Sequence, residues 1–209
     1  MIDLYTWTTP NGRKVSIALE ELGLPYTAHP IDISKDEQFQ PDFLRISPNN
    51  RIPAIVDQET GIHLMESGAI LIYLADKAGR MLPKEGEQRY RVIEWLMWQM
   101  GGLGPMIGQA HHFLRANKGV APYAEERYAK EAQRLYGVLD RRLEGRDYVA
   151  DEYSIADIAI WPWVSRYEWH AVDLAKFLNV KRWYTAIAAR PAVQRGYQVP
   201  KPAGDIPLP

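Results

Sequence analysis

The sequence contains no cysteine among its 209 residues. This absence excludes disulfide bridges, metal sites with thiolate ligands, and catalysis by a cysteine of the protein itself. A surplus of one charge is also lacking, because 25 basic and 26 acidic side chains leave a formal net charge of −1. The chain therefore has no overall electric field that would attract nucleic acid or an anionic membrane surface.

Long hydrophobic runs are missing too. The longest uninterrupted apolar run, 69–75, is far shorter than a membrane span. The N-terminal residues Met1 to Tyr5 lack the basic and apolar segments of a signal peptide. We therefore expect a soluble cytoplasmic protein that has neither a membrane nor a nucleic acid as partner. Its length and its 46% of hydrophobic residues fit one or two domains with an apolar core.

The first eighty residues alternate between strand and helix patterns. The strand patterns cover 2–7, 26–33, 54–57 and 62–65. One helical stripe ends at Gly23, a short helical or irregular stretch precedes the third strand, and a second clear helix follows the fourth strand. The predicted order is β-α-β-α-β-β-α, which is the layout of a thioredoxin-like α/β domain with a mixed sheet.

Strand patterns disappear in the second part of the chain, where apolar stripes have the spacing of helices. The segment from Ser154 to Asp157 resembles a capping box, which is a device for starting a helix and which we interpret as structural. We predict a thioredoxin-like domain at 1–80, an all-helical domain at 87–200 and a proline-rich tail at 201–209.

Thr9 and Asn11 flank Pro10 in the turn between the first predicted strand and helix. A helix N-terminus carries unpaired N–H groups and about half a positive charge, so a thiolate placed there is stabilised. Hydroxyl and amide donors at these two positions would add to this effect. The alternative is that Thr9 or Asn11 only caps the helix, as such residues commonly do.

The segment before the third strand contains Pro53, a candidate for a cis peptide bond with Ile52. In that geometry the backbone N–H and C=O of Ile52 would face outward and pair with an extended peptide ligand. The neighbouring Arg51 would offer a positive charge to a carboxylate. The alternative is an ordinary proline of an edge strand beside a solvated arginine.

Glu66 and Ser67 stand at the start of the helix that follows the fourth strand. Ser67 and the helix N-terminus suit a ligand carboxylate, and Glu66 suits a ligand ammonium group. The alternative is that Ser67 is a simple N-cap and that the helix dipole favours an acid beside it. A ligand with an amino-acid head group, an extended peptide and a thiol at a helix start has the parts of glutathione.

Several runs of the sequence resemble those of glutathione transferases, and the resemblance covers nearly the whole chain. The runs are Ser47 to Ile55, Glu66 to Leu74 and Ser154 to Asp157. The runs Thr9 to Gly12 and Gly101 to Met106 are similar to the bacterial nu class, whose members are similar to glutathione-using disulfide-bond oxidoreductases. The resemblance implies the glutathione transferase fold, a thioredoxin-like domain followed by an all-α domain, in a homodimer.

The resemblance also implies roles for the matched positions. Thr9 and Asn11 would approach the glutathione sulfur as the catalytic pair. The glutathione-binding residues would be Gln38 and Arg51 at the glycine end, Ile52 at the cysteinyl backbone, Glu66 and Ser67 at the γ-glutamyl end, and Arg127 near the dimer interface.

Tyr5 and the pair His111–His112 are two further candidates for a functional role. Many transferases activate the thiol with a hydroxyl, and Tyr5 is the rival here, although it lies early in the strand and its ring suits a packing role. His111 and His112 are adjacent, so on a helix they point about 100° apart and cannot easily share a metal. No histidine pair has the HExxH spacing, and we expect no metal site.

The mechanism that we predict uses the sulfur of glutathione. The helix start and the donors of Thr9 and Asn11 should lower the thiol pKa toward the thiolate form, so no general base is needed. We predict glutathione-dependent reduction of small disulfides, with peroxides and electrophiles as further substrates. A conventional detoxifying transferase and a non-catalytic ligand-binding protein on the same fold are the alternatives.

Overall fold

The four predicted strands form one mixed sheet. They are β1 (Ile2–Thr6), β2 (Tyr26–Pro30), β3 (Ala54–Asp57) and β4 (Ile62–Met65), in the order β2-β1-β3-β4. The β1–β2 contact is parallel, and the β1–β3 and β3–β4 contacts are antiparallel, which confirms the predicted layout. β2 is shorter than predicted because a 3₁₀ turn begins at Ile33, where the Asp32 side chain accepts a hydrogen bond from the Ser34 N–H.

The computed structural model describes all of residues 1–209. Its α-helices are α1 (Pro10–Leu22), α2 (Pro41–Leu44), α3 (Ser67–Ala78), α4 (Glu87–Trp98), α5 (Gly104–His111), α6 (Pro122–Arg142), α7 (Ile155–Val164), α8 (Leu178–Ala188) and α9 (Pro191–Tyr197). Two π-helical turns, Gln99–Leu103 and His112–Ala116, extend the helical path before and after α5. No helix combines the length and apolar character that crossing a membrane requires.

The chain divides into two units. The first comprises Met1–Lys84 and Ala189–Ile206, and the second comprises Glu85–Ala188 and Pro207–Pro209. The predicted domains were 1–80, 87–200 and a tail at 201–209, so the difference concerns α9 and most of the tail. These segments group with the first unit because α9 packs along α1.

The α1–α9 contact is close enough to constrain the sequence. A Cβ atom at Gly196 would lie 2.7 Å from the Cα of Ile17, so only glycine fits there. The Ser16 hydroxyl donates a hydrogen bond of 2.7 Å to the Gly196 carbonyl. α1 ends as predicted, since Gly23 adopts the left-handed conformation that a helix C-cap favours.

The second unit is built from helices around a buried aromatic core. Trp161, Trp183 and Tyr184 are fully buried, and the rings of Trp161 and Tyr184 stack with centroids 5.3 Å apart. The predicted capping box is confirmed at the start of α7. The Ser154 hydroxyl oxygen accepts a hydrogen bond from a backbone N–H of the first turn, and the Asp157 carboxylate accepts one from the Ser154 N–H. This box anchors α7 in the core.

Candidate functional site

Strand register brings most of the predicted site residues to one edge of the sheet. Tyr5 of β1 pairs with Ala54 of β3, and Ala54 pairs with Met65 of β4. The turn after β1, the segment before β3 and the segment after β4 therefore leave the sheet at the same edge. These segments carry the predicted residues Thr9, Asn11, Arg51, Ile52, Glu66 and Ser67.

Thr9 is the N-cap of α1, so the capping alternative holds for this residue. Its hydroxyl oxygen accepts a hydrogen bond of 3.1 Å from the Gly12 N–H, and its own proton can be donated to another acceptor. Asn11 lies in the first turn of α1, which contains no acidic residue. The positive end of the helix dipole is therefore not offset by a carboxylate within its first turn.

The Ile52–Pro53 peptide bond is cis, as the sequence analysis proposed. Ser47 is buried and donates a hydrogen bond of 2.8 Å to the Arg51 carbonyl, which ties down the loop before Ile52. The Arg51 side chain is exposed and forms no ion pair within the chain. A ligand carboxylate could therefore pair with Arg51 without displacing a partner.

Gln38 lies in the 3₁₀ turn Glu37–Phe39, on the connection that leaves β2 at the same sheet edge. Its side chain is buried, and its Nε2 donates a hydrogen bond of 3.4 Å to Asp36. The Oε1 atom is also buried and has no hydrogen-bond partner. A buried acceptor of this kind is costly unless a donor reaches it, and an amide N–H of a bound ligand would be such a donor.

Helix α3 begins one residue earlier than an N-cap at Ser67 would require. The N-cap of α3 is Glu66, with φ of 69°, and Ser67 is the first helical residue. The alternative that Ser67 is a simple N-cap is wrong, because Ser67 already lies inside the helix. Its hydroxyl oxygen accepts a hydrogen bond of 3.2 Å from the Lys14 ammonium group. Ser67 is buried and Glu66 is exposed.

Lys14 is the residue of this region that the sequence analysis missed. It lies on α1 with only 1% of its surface exposed, although lysine is almost never fully buried. Burial lowers the pKa of Lys14 to about 7, and the Glu66 carboxylate opposes that shift. One signal was present, since Lys14, Ala18 and Leu22 follow at spacings of four and share the buried face of α1.

Tyr5 has a packing role. Its ring stacks on His29 with centroids 4.8 Å apart, and Phe43 lies 6.3 Å away. Burial raises the pKa of the Tyr5 hydroxyl, so the hydroxyl stays protonated.

Arg127 belongs to the second unit, away in sequence from the other predicted residues. It lies on α6 and lines an open cavity of about 520 Å³. The remaining lining residues are Met106, Tyr123, Glu126, Tyr128, Lys130, Glu131 and Arg134. The cavity combines aromatic rings with charges of both signs, a lining that suits a polar ligand.

The sheet edge of the first unit can hold an extended, zwitterionic ligand. It offers a helix N-terminus at Thr9, a peptide backbone at Ile52, and a carboxylate beside a hydroxyl at Glu66 and Ser67. No cluster of three histidine, aspartate or glutamate side chains has the geometry of a metal site. A thiol carried by the ligand would have its charge stabilised at the start of α1.

Comparison with known proteins gives matches in both units. Residues 8–77 match the family described as Glutathione S-transferase, N-terminal domain, and residues 103–191 match Glutathione S-transferase, C-terminal domain. The chain is 52% identical over 198 residues to the disulfide-bond oxidoreductase YfcG of Escherichia coli, with 92% of each protein covered.

Solved structures match over a similar length. A glutathione transferase from Pseudomonas putida, crystallised with one glutathione disulfide bound per subunit, has a TM-score of 0.90 and 47% identity, covering 95% of this chain and 91% of that one. A glutathione transferase from Burkholderia graminis, with two glutathione molecules bound per subunit, has a TM-score of 0.89 and 46% identity, covering 97% and 89%.

Proposed function

Because the chain belongs to the glutathione S-transferase family, we propose that it is an enzyme that reduces disulfide bonds with glutathione. The observation that carries the proposal is that the segments with Asn11, Ile52 and Ser67 leave the sheet at one edge, in a chain without cysteine. The relative named as a disulfide-bond oxidoreductase, at 52% identity, favours this reaction over other uses of glutathione.

The residues at the sheet edge fit the parts of glutathione. Glu66 and Ser67 would bind the γ-glutamyl ammonium and carboxylate, and Ile52 would pair with the cysteinyl backbone. Arg51 would bind the glycine carboxylate, and the unpartnered Oε1 of Gln38 would accept an amide N–H. The sulfur would then lie at the start of α1, near Thr9 and Asn11.

The chemistry is two thiol–disulfide exchanges. The thiolate of one glutathione attacks a substrate disulfide, which forms a mixed disulfide and releases one substrate thiolate that takes up a proton. A second glutathione thiolate then attacks the glutathione sulfur of the mixed disulfide, giving glutathione disulfide and the second substrate thiol. Thr9, Asn11 and the α1 dipole stabilise the attacking thiolate by lowering the thiol pKa.

We also infer a homodimer of the nu class in the cytoplasm. The homodimer is the assembly that membership of this family leads us to expect, and a cytoplasmic location would supply glutathione in its reduced form. Arg127 would contact glutathione near the dimer interface, which is supported by its place in a cavity with a mixed polar and aromatic lining.

Parallel assays with two substrates test the proposed reaction. The rate of 2-hydroxyethyl disulfide reduction is compared with the rate of glutathione conjugation to an aryl chloride, at the same concentrations of glutathione and enzyme. We expect disulfide reduction to be faster, with reduction of an organic peroxide as a lesser activity. Faster conjugation would contradict the proposal and favour the detoxifying transferase, and absence of glutathione binding would favour the non-catalytic protein.

A further inference from the structure

The proline-rich tail folds back onto the first unit and brings a lysine to the ring of Trp7. The Gln198 side chain closes this part of the tail into a loop, because its Nε2 donates a hydrogen bond of 2.8 Å to the Gly204 carbonyl and its Oε1 accepts one of 2.8 Å from the Ala203 N–H. Lys201 lies inside this loop, and its Nζ atom is 4.0 Å from the centroid of the Trp7 ring. A lysine ammonium this close to an indole ring is held by a cation–π attraction.

Trp7 leads from β1 directly into the first turn of α1. Its carbonyl oxygen accepts a hydrogen bond of 2.7 Å from the N–H of Thr9, the N-cap of α1. A Cβ atom at Gly12 would overlap with the same carbonyl oxygen, so the Trp7 backbone packs closely against this turn. The Lys201 ammonium is therefore anchored on the residue that precedes the helix start, where we place the glutathione sulfur.

No carboxylate of the chain pairs with this ammonium group. Lys201 is exposed and forms no ion pair, and the first turn of α1 contains no acidic residue. An ammonium group has three N–H donors, so its exposed side can donate to an anionic ligand while the Trp7 ring holds the group in place.

The charge of the substrate matters for the proposed reaction. The glutathione thiolate attacks a disulfide, and carboxylate groups on that disulfide repel the attacking sulfur. A cation of the protein beside the sulfur reduces this repulsion, whereas it repels a disulfide that carries ammonium groups. A neutral disulfide is subject to neither effect.

Resting on the proposed function, we propose that Lys201 is a specificity-determining residue that favours disulfides with carboxylate groups over neutral and cationic disulfides. Trp7 holds the ammonium beside the start of α1, and the loop closed by Gln198 limits how far the lysine can move. The alternative is that Lys201 only anchors the tail on Trp7, which predicts no discrimination by substrate charge.

Reduction of three small disulfides of different charge tests the proposal. They are dithiodipropionate with two carboxylates, the neutral 2-hydroxyethyl disulfide, and cystamine with two ammonium groups. After subtraction of the uncatalysed rate, each kcat/KM is divided by that for the neutral disulfide with the same variant. For Lys201→Met we expect the dithiodipropionate ratio to fall about threefold to fivefold and the cystamine ratio to rise about twofold to threefold. Lys201→Glu should shift both ratios further in the same directions.

The salt dependence of the wild-type protein gives a check that needs no substitution. Ionic strength screens interactions between exposed charges, so raising it from about 0.05 M to about 0.5 M should lower the wild-type dithiodipropionate ratio toward that of Lys201→Met. The ratio of Lys201→Met should change less over the same range. A wild-type ratio that does not respond to salt would overturn the proposal.

Lys84→Met is the matched control. Lys84 is also an exposed lysine of the first unit without an ion pair, but it lies beyond the end of α3, a helix that starts at the site edge and extends about 18 Å from it. We expect this variant to keep both wild-type ratios. An equal shift in the two variants would assign the effect to the net charge of the protein rather than to Lys201.

Two further outcomes separate this inference from the proposed function. If Lys201→Met changes the rates with all three disulfides by the same factor, or changes none of them, the specificity role is wrong while disulfide reduction stands. If the wild type reduces none of the three disulfides with glutathione, the proposed function and the inference both fail.

Discussion

Both units bury an ionisable group beside the first turn of a helix, and the hydrogen-bond partners of these two groups differ. Asp157 of the second unit and Lys14 of the first are at most 1% exposed. Burial raises the pKa of Asp157 to about 6 and lowers the pKa of Lys14 to about 7, so both shifts favour the neutral form. Asp157 belongs to the capping box of α7, whereas Lys14 contacts the residue that we expect to bind a ligand.

The partners of Asp157 all come from its own unit. Its Oδ1 accepts hydrogen bonds from the Val149 N–H and the Trp183 indole, at 3.1 and 2.9 Å. Its Oδ2 accepts from the backbone N–H and the hydroxyl of Ser154, at 3.1 and 3.3 Å. A carboxylate with four donors is a structural element, while a buried ammonium beside a binding residue can serve a ligand. Substitutions around Asp157 should therefore change the stability of the fold, and substitutions beside Lys14, such as at Ser67, should change ligand binding.

The largest effect is expected from Asp157→Ala. Loss of the carboxylate leaves four buried donors without their acceptor, which should lower the free energy of unfolding by about 3–5 kcal/mol. Urea unfolding monitored by tryptophan fluorescence measures this change. Asp157→Asn is the control of equal shape and should lose less, since it retains one acceptor oxygen. A loss below about 1 kcal/mol for Asp157→Ala would contradict the structural role.

Ser67→Ala should affect binding rather than folding. Removing the donor to the γ-glutamyl carboxylate should weaken glutathione binding by about 2 kcal/mol, or roughly thirtyfold, in a calorimetric titration. Ser165→Ala in the second unit is the matched control. The Ser165 hydroxyl is also buried, but it donates a hydrogen bond of 2.7 Å to the Pro162 carbonyl of its own helix. Equal glutathione affinities in the two variants would argue against a ligand role for Ser67.

Asn11→Ala should lower turnover more than stability. Without the amide donor the glutathione thiol pKa should rise, and we expect about a tenfold lower rate of disulfide reduction at pH 7. The free energy of unfolding should change by less than about 1 kcal/mol, because Thr9 and not Asn11 caps α1. If the variant keeps the full disulfide reductase rate, the role given to the start of α1 is wrong.

The smallest effect, with a sign opposite to that of Asp157→Ala, is expected for the stability of Lys14→Met. Methionine fills a similar volume without a buried charge, so the free energy of unfolding at pH 6 should rise by about 1 kcal/mol. Below pH 7 lysine is charged in both the folded and unfolded states, and the full cost of burial is present. Between pH 7 and 10.5 only the unfolded state keeps the proton, so wild-type stability rises with pH, and the advantage of Lys14→Met should shrink and then change sign. A constant difference from pH 6 to 9 would contradict this account.

Local sequence signals predicted much of the first unit. The apolar stripe ending at Gly23 predicted the end of α1, and both strands of the β3–β4 hairpin have the predicted bounds. The capping box at Ser154 was also predicted correctly, because its hydrogen bonds join residues within three positions of one another. Such features depend on neighbours in the chain, so a sequence pattern can show them.

Features that depend on distant contacts were harder to predict. The packing of α9 on α1 joins residues about 180 positions apart, as the Ser16–Gly196 hydrogen bond illustrates. The hydrogen bond from Lys14 to Ser67 likewise joins residues 53 positions apart. The roles of Gln38 and Arg127 were predicted from the resemblance alone, whereas those of Asn11, Ile52 and Ser67 were also predicted from local helix and strand signals.

A crystal structure after soaking with glutathione disulfide would locate the ligand at the sheet edge of the first unit. We expect one glutathione sulfur near the side chain of Asn11 or Thr9 at the start of α1, the cysteinyl backbone paired with Ile52, and the γ-glutamyl carboxylate on the Ser67 hydroxyl. A glutathione disulfide bound with its γ-glutamyl end away from Ser67, or with both sulfurs far from the start of α1, would contradict this expectation.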